Sequence, residues 1–163
     1  MDAYRVPKGR ATVLIFVPPF PISMRTVFLS EIAENHHGPE TVSDLLEKPQ
    51  AFLPVQEEDG EPVLLRKDSV RWLKVENPRE AEWSFYEDSA GTPTRKIRCV
   101  FRDGEPLDGT IYSVAPEGER RVSDLVNRRS GFLHVESEGD LYLVNLRHVV
   151  TVRILEESNG HAG

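Results

Sequence analysis

Apolar and polar residues alternate most clearly in the second half of the chain. There Ile97, Cys99 and Phe101 interleave with Lys96, Arg98 and Arg102 around Val100. A period of two predicts a strand with one face buried and one in water. Asp103-Gly104 supplies a turn, because glycine adopts positive φ without steric cost. A second strand is predicted over 109–114, followed by a loop at Pro116-Glu117-Gly118-Glu119. Ser123-Asp124 then opens a short helix, 123–129, where a hydroxyl or carboxylate can cap free N–H groups. The helix has room for about two turns before Gly131, with Leu125 and Val126 toward the core. Further strands are predicted over 132–135, 141–145 and 149–154, with a hairpin turn at 136–139.

The first half repeats this pattern. Thr41-Val42-Ser43-Asp44-Leu45-Leu46 corresponds to Arg121-Val122-Ser123-Asp124-Leu125-Val126. At the same displacement, Phe52-Leu53-Pro54-Val55 corresponds to Phe132-Leu133-His134-Val135. One residue is lost near Gly60 and Gly139. After it, Val63-Leu64-Leu65 matches Tyr142-Leu143-Val144, and Leu73 and Val75 match Val152 and Ile154. Upstream, Val27-Phe28-Leu29-Ser30 is set against Thr110-Ile111-Tyr112-Ser113. Agreement of element order over both halves marks an internal duplication. First-unit strands are predicted over 11–17, 24–32, 52–55, 63–66 and 70–75. Thr41 and Asp44 have capping-box spacing, and Pro49 ends the helix.

The predicted fold class is mainly β: two tandem five-stranded small β-barrels, each with one short helix inserted between strands two and three. Five short strands suit a small, strongly bent barrel, since a flat sheet of that size leaves its edges exposed. The organisation expected is a first unit over 1–76, a linker or clamp over 77–94, a second unit over 95–157 and a tail over 158–163. Trp83, Phe85 and Tyr86 are too apolar for a free linker. They are expected either to clamp the units or meet a partner, or to form an extra edge strand.

Charge narrows the choice of partners. The 163 residues carry 20 Lys+Arg against 27 Asp+Glu, a net charge of −7. That opposes indiscriminate binding to nucleic acid or anionic membrane, while leaving room for a local basic patch. Cys99 is the single cysteine, which excludes an intrachain disulfide and fits a reducing, cytoplasmic setting. The longest apolar run, 13–21, is broken by Pro18, Pro19 and Pro21 and is too short to span a bilayer. It reads as a core strand, not a signal peptide, because prolines stand where a cleavage site is needed.

The second unit, from Lys96 to Ile154, resembles the Sm-like barrel family, which includes a bacterial RNA chaperone. The likeness rests on the hairpin Ile97…Asp103-Gly104…Leu107-Asp108-Gly109, the helix-bearing insertion, and Val144-Asn145-Leu146-Arg147-His148-Val149-Val150. In that family a basic residue and a histidine before the last strand help hold RNA in a ring, and Arg147-His148 looks like that pair. The first unit has Asp68-Ser69 there. An Sm barrel carries its helix ahead of strand one, whereas here it follows strand two. The pattern also resembles small bacterial domains whose activity is unknown. SH3-like barrels share the general architecture.

Catalytic constellations do not emerge. His36-His37 are neighbours and would need a turn to share a metal, and no cysteine lies near. Cys99 reads as a small core residue. Ser43 and Ser123 lack the flanking glycines of a nucleophile elbow, and capping accounts for both. No catalytic residue, cofactor site or metal site is assigned. The one concentration of charge is Arg120, Arg121, Arg128, Arg129 and Arg147, with His148. It is either a solvated surface or a patch for an anion or acidic partner.

These features predict a non-enzymatic interaction or assembly module that binds itself or a protein partner. The alternatives are an Sm-like RNA-binding ring, using Arg147, His148 and the arginines, and a sensor of an anionic small ligand at the arginine cluster.

Overall fold

In a computed structural model of the protein, the structure describes residues 9–30, 40–76, 94–112, 122–128 and 131–155. The chain divides into two units, Met1–Trp83 and Ser84–Gly163. Within the described residues it is mainly β.

The first unit contains β1 (Gly9–Phe16), β2 (Ser23–Leu29), α1 (Val42–Glu47), β3 (Phe52–Gln56), β4 (Pro62–Arg66), a 3-10 turn at Lys67–Ser69, and β5 (Trp72–Val75). Its strands pair in the order β5-β1-β2-β3-β4, each antiparallel to its neighbour. The second unit contains β6 (Thr94–Phe101), β7 (Pro106–Tyr112), α2 (Val122–Arg128), β8 (Phe132–Ser137), β9 (Asp140–Asn145), a 3-10 turn at Leu146–His148, and β10 (Val149–Ile154). Its order, β10-β6-β7-β8-β9, is the same ladder.

Alternation explains which side chains fill each core. In the first unit Val13, Ile15, Val27, Leu53, Val55, Leu73 and Val75 face inward with Val42, Leu45 and Leu46 of α1. In the second, Ile97, Cys99, Phe101, Ile111, Leu133, Val135, Leu141 and Leu143 are buried. Burying each such aliphatic side chain stabilises by about 1.5–3 kcal/mol.

Pairing corrects the upstream correspondence between the copies. Thr26 faces Gln56 and Thr110 faces Glu136, so Thr26 corresponds to Thr110, and Val27 to Ile111. Both Val27 and Ile111 are buried. The expected match of Val27 with Thr110 is off by one residue, a slip that sends every side chain of a strand to the wrong face.

The helix cap is also corrected. Thr41 is the N-cap of α1: its Oγ1 accepts from the Asp44 N–H at 3.0 Å, and Asp44 Oδ2 accepts from the Thr41 N–H at 2.9 Å. Ser43, expected to cap, is the second residue of the helix and is buried. Ser123 is likewise the second residue of α2. Lys48, before Pro49, is extended at ψ 155, as the proline ring demands of its predecessor.

Buried ions tie α1 in place. Glu40 Oε1 accepts from the Ser30 N–H at 2.9 Å, and its Oε2 lies 2.8 Å from Lys48 Nζ. Lys67 Nζ donates to the Lys48 carbonyl at 2.8 Å, fastening the 3-10 turn to the helix end. Burial, and then the charge of Lys48, push the Lys67 ammonium below its ordinary value.

Closure into barrels is the part of the expectation the pairings do not reach. Among the described residues no ladder joins β4 to β5, or β9 to β10. The reason lies in the connection. A 3-10 turn swings the chain out of hairpin geometry after β4, and β5 is delivered onto β1, with Val75 opposite Val13. The second unit does the same, with Ile154 opposite Ile97 and a bulge between Val149 and Thr151.

Candidate binding surface

Arg147 and His148 occupy the 3-10 turn between β9 and β10. Asp68 and Ser69 hold the same places in the first unit. Asn145 fixes the turn by accepting the Arg147 N–H on Oδ1 at 3.0 Å. The Arg147 carbonyl accepts from Arg102 Nη2 at 3.0 Å, so the turn is laced to the end of β6. Arg147 is exposed and His148 half-buried.

Of the arginine cluster, the described residues include Arg128 and Arg147. Arg128 is the last residue of α2. Arg120, Arg121 and Arg129 lie outside the described residues, as do Trp83, Phe85, Tyr86 and the His36-His37 pair. The repeat still says something about two of these positions. Arg120 stands in sequence where the first unit has buried Glu40, and Arg128 where it has Lys48. An ion pair in one copy is thus replaced by two arginines in the other.

A second basic surface is visible on β6 and β10. Their sequences carry Arg95, Lys96, Arg98 and Arg153, and no acidic residue. Arg98 makes a bidentate contact with Asp108 across the β6–β7 ladder, Nε to Oδ1 at 2.7 Å and Nη2 to Oδ2 at 2.9 Å. Those bonds hold the Asp108 carboxyl below its ordinary value. The sequence signal for this surface was the sign of the outward positions. Lys96, Arg98 and Arg102 are all cationic, and summing charge over one face of the strand picks them out.

Cys99 sits beneath this surface, fully buried. Burial first, and the Asp108 charge second, push its thiol up to about 11. A neutral, enclosed thiol is a packing residue. Tyr112 donates to Glu136 Oε1 at 2.6 Å, and that bond, with lesser help from burial and the carboxylate charge, pushes the phenol up to about 12. Among the described residues no group of three His, Cys, Asp or Glu side chains could hold a metal ion. None of the described helices is long and apolar enough to cross a membrane.

Exposed large apolar side chains lie at the β1–β2 connection, on β3 at Phe52, and on β4 and β10. The β1–β2 connection carries Phe20, Ile22 and Met24. Others are on the strands β4 and β10, each in its own unit. Leu64 on β4 is 67% exposed, Val150 on β10 is 59% exposed and Ile154 is 43% exposed. Compared with family models, curated proteins and solved structures, the chain matches none.

Proposed function

We propose that the protein is a non-enzymatic interaction and assembly module whose working surfaces are the strands β4 and β10. The observation that carries this reading is the exposure of Leu64, Val150 and Ile154 on strands that pair on one side only. Unpaired strand edges bearing apolar side chains are templates for another chain. Small β units of this kind also bury a limited core and gain from association.

Light scattering across a concentration series, together with affinity capture by the whole chain, tests the reading. The expected result is self-association, or a retained protein that is lost on Val150→Asp. A strict monomer that retains nothing removes it.

RNA binding in the manner of an Sm-like barrel is the second reading. It is favoured by Arg95, Lys96, Arg98 and Arg153 on β6 and β10, strands with no acidic residue, together with Arg147 and His148. It requires salt-sensitive binding of single-stranded RNA, lost when Arg147→Ala is combined with Arg128→Ala. Absence of binding at low salt excludes it.

A further inference from the structure

We propose that the outward face of the first sheet is a stacking platform for a short stretch of single-stranded nucleic acid, built from Arg10, Phe28, Phe52 and Arg66. The site goes beyond the assembly reading, since a monomer can carry it. It is also separate from the Arg147-His148 turn of the second reading.

Alternation puts the four side chains on one face. Ala11, Val27 and Leu53, the chain neighbours of Arg10, Phe28 and Phe52, are buried, so those three side chains point away from the core. Arg10 lies opposite Phe28, and Arg66 opposite Phe52. Across the ladder β1-β2-β3-β4 the face thus runs cation, ring, ring, cation. Continuing the Thr26–Gln56 register sets Pro54 opposite Phe28, with Phe52 one pleat further on. The Arg10 guanidinium lies 5.5 Å from the centre of the Phe28 ring, and that of Arg66 lies 4.5 Å from the centre of Phe52. Both arginines are exposed, and Phe52 is 40% exposed.

This arrangement selects a ligand that brings planar rings and negative charge together. A guanidinium laid on a ring keeps in-plane N–H donors for a phosphate, and its outer face is a plane on which a base stacks. The outward positions of β1 to β4 carry these two cations and no carboxylate. Carboxylates border the face instead. Glu58, Asp59 and Glu61 occupy the turn at the other end of β3 and β4, Asp68 lies in the 3-10 turn past Arg66, and Glu76 stands beside Thr12. That border confines contact to a short stretch, a few bases with two phosphates at the arginines. RNA and DNA share this chemistry. An acidic peptide offers the charge without a ring at each step.

The second copy shows that the fold does not call for these cations. Pairing sets Thr94 where the first unit has Arg10, and Asn145 where it has Arg66. Phe132, the counterpart of Phe52, is buried. The counterpart of Phe28 is Tyr112, whose hydroxyl is bonded to Glu136, where the first unit has Gln56. The same ladder forms with neither arginine, so their place over two outward rings belongs to the first unit alone.

Fluorescence anisotropy of labelled oligo-uridylate and oligo-thymidylate with the whole chain tests this. Binding of either supports the proposal, and their ratio shows whether RNA or DNA is preferred. The logarithm of affinity should fall with the logarithm of salt at a slope of about −1.4, as for two phosphate contacts on a single strand. Arg10→Ala with Arg66→Ala should abolish binding. Phe52→Ala should weaken it by about tenfold or more, and Phe52→Tyr should retain it. Arg128→Ala with Arg147→Ala should leave it unchanged. All these positions but Phe28 are open to substitution at the surface, and circular dichroism checks the fold of each variant. No binding at low salt overturns the proposal. So does binding indifferent to Arg10, Arg66 and Phe52, or displacement by poly-glutamate as readily as by unlabelled oligonucleotide.

Discussion

β10 and β5 are the same strand in two copies of one unit, and they have opposite surroundings. Both pair with the first strand of their own ladder, Val152 opposite Cys99 and Leu73 opposite Ile15. Leu73 and Val75 are buried, while no residue of β10 is. The pairing partner therefore does not decide burial here. The apolar pattern is the same in both strands, and the assembly proposed above rests on its exposure in β10.

The largest expected effect comes from deleting core volume on the two strands. Leu73→Ala should cost about 3 kcal/mol in denaturant unfolding, through lost burial and a residual cavity. Val152→Ala, at a half-exposed site, should cost about 1 kcal/mol or less. Equal costs would mean that β10 is as enclosed as β5 in solution.

Gly109 sharpens the comparison of β7 with β2. A Cβ there would lie 2.5 Å from Val135 Cγ1 and 2.7 Å from the Glu136 carbonyl oxygen. The first unit has Arg25 in that register position, with Nε 3.2 Å from Glu57 Oε1. Gly109→Ala should destabilise by about 1–3 kcal/mol, since the backbone of β8 has to move. Arg25→Ala should cost less, and thermal melting of the two variants ranks them.

A smaller effect is expected at α1. Thr41→Ala removes half of a reciprocal cap and should cost about 1 kcal/mol, seen as a lower denaturation midpoint. Ser43→Ala should be milder, because Ser43 does not cap.

The smallest effect is a pH dependence confined to the second unit. Tyr112 corresponds to Phe28 and Glu136 to Gln56, so only the second copy has this hydrogen bond. Glu136 accepts from the neutral phenol, so the folded state raises its pKa from 10.0 to about 12. The contribution is complete below pH 10 and fades as the pH rises toward about 12. Tyr112→Phe should lower stability at neutral pH, where the bond is intact, and flatten the profile across that alkaline window, as pH-dependent unfolding measures.

The duplication and the order of elements were legible because alternation, turn glycines and the Thr41-Asp44 cap are local signals. The slip between Val27 and Thr110 was not avoidable from sequence. The β1–β2 connection, with its prolines, and the short Asp103-Gly104 turn differ in length, and only the Thr26–Gln56 and Thr110–Glu136 pairings fix the register. Barrel closure was inferred from the need to hide edges, but the 3-10 turns that carry β5 and β10 away are set by three residues with no strong signature. Arg147 and His148 were singled out through the family resemblance as a pair before the last strand, and the structure puts them in a 3-10 turn, Arg147 exposed and His148 half-buried. The cationic side of β6 and β10 was written in the alternation but needed the ladder to join Arg153 to Lys96 and Arg98.

Pairing the fifth strand of each unit with the first has a consequence for how the chain acquires its structure. The hairpins β1–β2 and β3–β4 close over short sequence separations, whereas Trp72 must find Phe16 across most of a unit. Closing so long a loop comes at an entropic cost that local contacts avoid, which makes this step the slow one. During synthesis, one side of β1 waits unpaired until Val75 has left the ribosome. The emerging unit thus passes through a stage with an extra open edge, at which a neighbouring nascent chain could be captured in place of its own last strand.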